Sequence, residues 1–192
     1  MSRLVVHKSV KDELLEKLVD LSKSLKVGPG YEEGSELTPV ISQNQLDKVE
    51  GYARSGIQAG AEAVHGGKRV DREGYFMEAT VLDKVTQDMT VAREEIFGPV
   101  LSVLEYEEPE EAIHIANDTD YGLGAGVFTK DLDKASWTAS KLESGQVYVN
   151  KWFTGSLATP FGGYKQSGYS REKGQQALNA YLQIKNVGIS LS

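Results

Sequence analysis

At 192 residues the chain is long enough for a core of its own, and with 40% hydrophobic and 26% charged residues it has the composition of a folded globular protein. A formal charge of −7 argues against nucleic acid or an anionic membrane surface as a general partner, and no apolar run reaches the roughly 20 residues that span a bilayer. Cysteine is absent, which excludes disulfides, thiolate metal sites and a cysteine nucleophile supplied by these residues.

The first residues, Met1-Ser2-Arg3-Leu4, have no signal-peptide architecture, so a cytoplasmic location is the expectation, and the sequon-like Asn117-Asp118-Thr119 carries little weight. Leu4-Val5-Val6-His7 reads as a short strand, and Ser9-Val10-Lys11-Asp12 as a capping box that opens a helix. Leu14, Leu18, Leu21 and Leu25 then recur at helical spacing. Residues 26–41, with Gly28-Pro29-Gly30 and Pro39, read as a turning loop without a domain boundary. Ser42 is placed to cap a second helix with Leu46, Val49, Ala53 and Ile57 inward. Further strands are expected within 60–67, 75–82 and 100–106, then a helix beginning near Pro109 and running through Ala112, Ile113 and Ala116.

Beyond it, 124–128 reads as a strand and 131–142 as a helix with Leu132, Ala135 and Ala139 on one side. A strand over 146–150, a long loop over 151–168 and a helix over 172–182 follow, and Val187-Gly188-Ile189-Ser190-Leu191 closes the chain as an alternating segment in need of a strand partner. Strands alternating with helices predict an α/β fold with an open, mostly parallel sheet.

Several familiar chemistries find no foothold. Gly122-Leu123-Gly124-Ala125-Gly126 precedes a strand rather than a helix, which favours close packing or turn geometry over a dinucleotide fingerprint. Gly163 to Gly168 has Walker-like spacing, but Tyr169-Ser170 follows where a lysine is required. His7, His65 and His114 are scattered without metal-ligand spacing, His114 in mid-helix, and no Gly-x-Ser-x-Gly elbow is present.

Two stretches stand out. Arg93-Glu94-Glu95-Ile96-Phe97-Gly98-Pro99 is a polar turn set before the apolar run Val100 to Leu104, and loops on strand ends in α/β proteins are where ligand groups tend to sit. A carboxylate there suits vicinal hydroxyls such as those of a ribose, with a phenyl ring as an apolar wall; the alternative is a solvated turn. Trp152, Phe153 and Phe161 cluster in a Gly- and Pro-broken stretch unlike a periodic core stripe, and either wall an apolar substrate tunnel or plug a junction between domains.

Arg93 to Val100 resembles the signature of the aldehyde dehydrogenase superfamily, and Pro160-Phe161-Gly162-Gly163-Tyr164-Lys165-Gln166-Ser167-Gly168 resembles its C-terminal signature. Gly74-Tyr75-Phe76 and Tyr121 to Thr129 match further family segments in the same order, with Glu78-Ala79-Thr80 departing where a proline is usual in the middle. The resemblance implies the C-terminal part of a catalytic domain over 1–183 and an oligomerisation strand over 184–192. It implies that Glu95 binds the ribose hydroxyls on the nicotinamide side of NAD or NADP, with Phe97 packed at the same end. It also nominates Gln45 and Lys48, which are otherwise plain exposed residues of an amphipathic helix. Phe161, with Phe153 and Trp152, would line the aldehyde channel.

In that family a cysteine thiolate attacks the aldehyde, hydride passes to the dinucleotide and water releases the carboxylic acid. Ser2-Arg3-Leu4-Val5-Val6 resembles the segment just after that cysteine. The nucleophile, the general base and the cofactor-binding domain are therefore expected before Met1. The isolated chain is expected to be inactive, to bind cofactor weakly if at all, to need the missing N-terminal half and to form a homo-oligomer. The alternative is a non-catalytic folding or oligomerisation module.

Overall fold

The computed structural model describes residues 2–191. They form two compact units that divide between Asp118 and Thr119.

In the first unit, β1 (Arg3–His7) leads directly into α1 (Lys8–Ser24). Helix α2 (Gln43–Gln58) is followed by β2 (Glu62–His65), β3 (Thr80–Asp83), the single turn α3 (Thr90–Arg93), β4 (Val100–Tyr106) and α4 (Pro109–Asn117). The sheet order is β1-β4-β3-β2. Strands β1 and β3 run parallel to β4, Val5 opposite Leu104 and Leu82 opposite Ser102, while β2 is antiparallel to β3. The expected α/β class and mostly parallel sheet are both present.

Alternation along the central strands sends neighbouring side chains to opposite faces, and both faces are covered. Leu82 and Leu104 join Leu46, Val49 and Ala53 of α2, together with Val91, Ile96 and Ile115. Val81 and Val103 face the other way, with Val6 and Leu15 of α1. Each such side chain contributes about 1.5–3 kcal/mol by leaving water. Ser102, fully buried in β4, donates its hydroxyl to the Val91 carbonyl at 2.9 Å and so ties α3 to the sheet.

The helix starts separate what the sequence shows from what it hides. Ser42 caps α2 as expected, its side chain accepting from the Gln45 N–H. Helix α1 is capped by His7 rather than Ser9: the His7 Nδ1 accepts from the Ser9 N–H at 3.1 Å, because the chain turns into the helix as soon as β1 ends. Leu21 and Ile57 are exposed; on α2 Gly56 takes the inward place, where an added Cβ would lie 3.1–3.2 Å from Val91 and Leu82. The expected strand over 75–82 shortens to β3, with Met77 making an isolated bridge to Arg69. In α4 the fully inward residue is Ile115, with Ala112, Ile113 and Ala116 half-buried and His114 exposed. Arg3 reaches from β1 to donate to the Ile115 and Ala116 carbonyls at 2.9 and 2.8 Å, closing the C-terminus of α4.

The second unit holds β5 (Tyr121–Gly122), antiparallel to β8 (Tyr164–Lys165), and β6 (Gly124–Val127), parallel to β7 (Gln146–Val149). Helix α5 (Leu132–Lys141) starts at Asp131, whose carboxylate accepts from the N–H groups of Asp133 and Lys134. Ala135 is its buried residue, while Leu132 is exposed. Glycine 122 has the close-packing role its setting suggested, since a Cβ there would lie 2.4 Å from the Glu143 carbonyl oxygen. The helix expected over 172–182 is a 3-10 helix, Gln175–Tyr181, with no buried residue, so no apolar stripe holds a longer α-helix in place. Residues 182–191 carry neither helix nor strand.

Candidate functional site

The turn 94–99 is held from below by one stripe of α2. Gln45, Val49 and Tyr52 recur at i, i+4 and i+7, which places them on one helix face. The Gln45 side-chain amide donates to the Ile96 carbonyl at 3.0 Å and to the Phe97 carbonyl at 2.9 Å. Val49 is fully buried against Gly98, where a Cβ would lie 2.4 Å from one of its methyl carbons. The Tyr52 hydroxyl donates to the Glu94 carboxylate. Ile96, fully buried, is the apolar plug of the turn.

This arrangement separates the two adjacent carboxylates. Glu94 is committed to Tyr52, whereas Glu95, half-buried, has no hydrogen-bond or ion-pair partner among the described residues. Phe97 follows with φ +52°, a left-handed conformation unfavourable for a bulky residue, and its ring stands 75% exposed. A free carboxylate beside an exposed ring, on a backbone pinned through three neighbouring residues, fits a polyhydroxyl ligand with a flat apolar part.

Lys48 sits one turn along α2, its ammonium 5.6 Å from the centre of the Tyr52 ring. Lys48, Gly51, Tyr52, Ser55 and Thr90 line an open depression of about 280 Å³. The carboxylates nearest in sequence are engaged elsewhere: Asp47 and Glu50 both hold Arg69, at 2.6 and 2.8 Å. The hydrogen bond from Gln43 and then the Arg69 guanidinium keep Asp47 below its ordinary pKa of 3.8. Lys48 itself forms no ion pair among the described residues.

The three aromatic residues nominated for the channel form a chain of ring contacts that starts from one the sequence did not single out. Tyr148 of β7, 8% exposed, meets Trp152 edge-on at 5.8 Å and Phe153 at 6.1 Å; Phe153 meets Phe161 at 6.5 Å. The buried Tyr148 hydroxyl has no partner among the described residues. As one residue of a short alternating strand, Tyr148 gave no signal of its own beyond standing two positions before Asn150. Asn150 has φ +55° and anchors the loop by exchanging two hydrogen bonds of 2.8 Å with the Thr129 backbone. Phe161 is fixed by paired backbone bonds of 2.7 Å to Glu172, and the Lys173 ammonium lies 5.3 Å from its ring.

The four residues nominated for the cofactor therefore fall in the first unit, along α2 and its turn, and the three nominated for the channel fall in the second. Among the described residues no cluster of histidine, cysteine, aspartate or glutamate is placed to hold a metal, and no helix is long and apolar enough to cross a membrane.

The chain is thus an α/β protein of two compact units, with a carboxylate that has no partner among the described residues on the turn before β4. A family model described as "Aldehyde dehydrogenase family" matches residues 1–187, and the chain belongs to that family. It is 42% identical over 195 residues to betaine aldehyde dehydrogenase of Brucella melitensis, covering 99% of this chain and 40% of that protein. It is 41% identical to the mitochondrial aldehyde dehydrogenase of Leishmania tarentolae, covering 97% of this chain and 37% of that one. Among solved structures, the NAD+ complex of aldehyde dehydrogenase from Bacillus cereus superposes with a TM-score of 0.95 at 40% identity, covering 100% of this chain and 39% of that one. Betaine aldehyde dehydrogenase from Staphylococcus aureus in complex with NAD+ gives 0.90 at 41% identity, covering 94% and 37%. The chain thus spans about two-fifths of the length of the relatives it matches.

Proposed function

We propose that this chain forms part of an NAD(P)-dependent aldehyde dehydrogenase, an enzyme that oxidises an aldehyde to a carboxylic acid. In that role Glu95 accepts hydrogen bonds from the ribose hydroxyls on the nicotinamide side, Phe97 packs against the same end of the cofactor, and Lys48 adds a cation one helical turn away. When bound, the dinucleotide supplies the hydride acceptor. Trp152 and Phe153, packed on Tyr148, and Phe161, packed on Phe153, wall the aldehyde channel and keep water from it. The chain has no cysteine, so the nucleophile comes from residues other than these 192. The full enzyme is a soluble homo-oligomer, and residues 184–192 pair in its oligomerisation sheet.

The observation that carries this reading is the division of labour at the turn, with Glu94 held by Tyr52 and Glu95 left free beside an exposed ring. The relatives' structures with NAD+ support the choice of ligand. Calorimetric titration of NAD+ into the 192-residue chain tests it. Holding only one end of the molecule, the chain should bind weakly, with a Kd on the order of millimolar, and Glu95→Gln should lose that binding. NADH formation by the pure chain from any aldehyde contradicts the reading, as does NAD+ binding unaltered by Glu95→Gln.

A further inference from the structure

We propose that Lys173 selects the substrate by charge, excluding aldehydes that carry a quaternary ammonium and favouring those that carry a carboxylate. The proposal rests on the reading of Phe161 and its neighbours as a channel wall, but its observations concern Lys173 itself. The Lys173 ammonium lies 5.3 Å from the centre of the Phe161 ring. At that range the electron-rich face of the ring already holds a cation. A second cation arriving there would find the face taken and would be repelled by the ammonium. An anion would meet an uncompensated positive charge beside an apolar ring.

Three observations make this charge available to a ligand. Lys173 is half-buried and forms no ion pair or hydrogen bond among the described residues, in a chain where acidic residues outnumber basic ones by 28 to 21. The nearby cation Arg171 is differently placed: its guanidinium donates to the Gly163 and Ser170 carbonyls at 2.9 and 2.8 Å and is already spent. The backbone of Lys173, finally, is fastened on both sides to the loop that carries Phe161. Paired bonds of 2.7 Å join Glu172 to Phe161 just before it, and the Gly174 N–H donates to the Leu157 carbonyl at 2.9 Å just after. Lys173 and Gly174 are both left-handed, at φ +60° and +58°, and a Cβ on Gly174 would lie 2.9 Å from the Pro160 nitrogen. That close turn is what returns the Lys173 side chain over the ring.

Two unit charges about 6 Å apart change an affinity about threefold in bulk water and about 100-fold at the effective permittivity near a protein surface. For a half-buried ammonium an effect of about tenfold in each direction is expected. NMR titration of the 192-residue chain reads it with three probes that do not react with amines: hexanoate, hexan-1-ol and hexyltrimethylammonium, followed at the Phe161 ring and the Lys173 ε-methylene. Hexanoate should bind about tenfold more tightly than the alcohol, and the ammonium about tenfold more weakly. Lys173→Met, which keeps the length and removes the charge, should bring the three within about twofold of one another. Lys173→Glu should reverse their order, and Lys173→Arg should preserve it. All three variants should keep the amide spectrum of β6 and β7.

The proposal is overturned if the ammonium probe binds the wild-type chain as tightly as hexanoate, or if no probe moves the Phe161 and Lys173 signals. It is equally overturned if the wild-type order survives in both Lys173→Met and Lys173→Glu, because a lysine that only clips the loop to the ring would behave in that way. If the order follows the charge at position 173 while the Trp152 and Phe153 rings stay still, charge selection by Lys173 stands and the reading of those two rings as a channel wall fails.

Discussion

Gly98→Ala tests how tightly the candidate site is built onto α2. The added Cβ would lie 2.4 and 2.6 Å from the two γ-carbons of Val49 and 3.1 Å from its Cβ. Val49 is fully buried and β-branched, so it has no alternative rotamer to adopt within the helix. Carbon–carbon contact settles at about 3.5–4.0 Å, so the turn must retreat by about 1 Å. That retreat stretches the Gln45 bonds, now 3.0 and 2.9 Å, beyond useful length. Overpacking costs about 1–3 kcal/mol, and each of the two bonds lost adds about 1 kcal/mol, giving about 3–5 kcal/mol in all. Val49→Ala alone removes two buried methyl groups, about 1.6 kcal/mol of transfer free energy, and the cavity brings the loss to about 2–3 kcal/mol. In the double variant the new methyl occupies the vacated space, so the total should be close to that of Val49→Ala alone, a coupling about as large as the cost of Gly98→Ala itself, about 3–5 kcal/mol. Tryptophan fluorescence is the wrong probe, because Trp137 and Trp152 both lie in the second unit. Native-state hydrogen exchange at the β4 amides reads the first unit directly. Additivity within about 0.5 kcal/mol would refute the argued contact.

Other sites give independent expectations. Gly145→Ala would place a Cβ 1.9 Å from the Gly162 carbonyl oxygen, which is backbone and cannot swing aside; tryptophan fluorescence should show the second unit destabilised by at least about 3 kcal/mol, and a loss below 1 kcal/mol would contradict this. Arg3→Met strips two charge-assisted bonds from the end of α4, and Arg3→Lys should not restore both because an ammonium lacks the planar fork; exchange protection in α4 that survives both changes would sink the idea. The depressed pKa of Asp47 contributes stability that is complete above its ordinary value of 3.8 and is lost as pH falls through the lower folded value. Gln43→Leu removes the largest cause, so the Asp47 carboxyl carbon should titrate closer to 3.8 in NMR; an unmoved midpoint would show that Arg69 alone holds it.

The parts of the fold legible in the sequence are those where one residue's chemistry decides the outcome. Ser42 is a strong N-cap type and caps α2, and the apolar run after Pro99 is the central strand β4. His7 escaped notice because imidazole is not among the usual caps; only the abrupt passage from β1 to α1 brings its Nδ1 to the Ser9 N–H. The 3-10 helix near the end was read too regularly because residues 172–182 have helical composition but nothing to bury against. At the candidate site the sequence displays two adjacent glutamates and no means of telling them apart. Tyr52, about forty residues earlier in the chain, makes the distinction by taking Glu94. Tyr148 was hidden for the same reason: its importance lies in two rings, those of Trp152 and Phe153, brought to it by the loop that follows.

The most direct test of the account follows individual side-chain carboxyl carbons by NMR while NAD+ is titrated into the 192-residue chain. The Glu95 carboxyl should shift progressively with NAD+, together with the ring resonances of Phe97, while the Glu94 carboxyl, already bonded to Tyr52, stays nearly still. If Glu94 moves and Glu95 does not, or if neither responds while NAD+ binds elsewhere on the chain, the ribose-facing role assigned to Glu95 is contradicted.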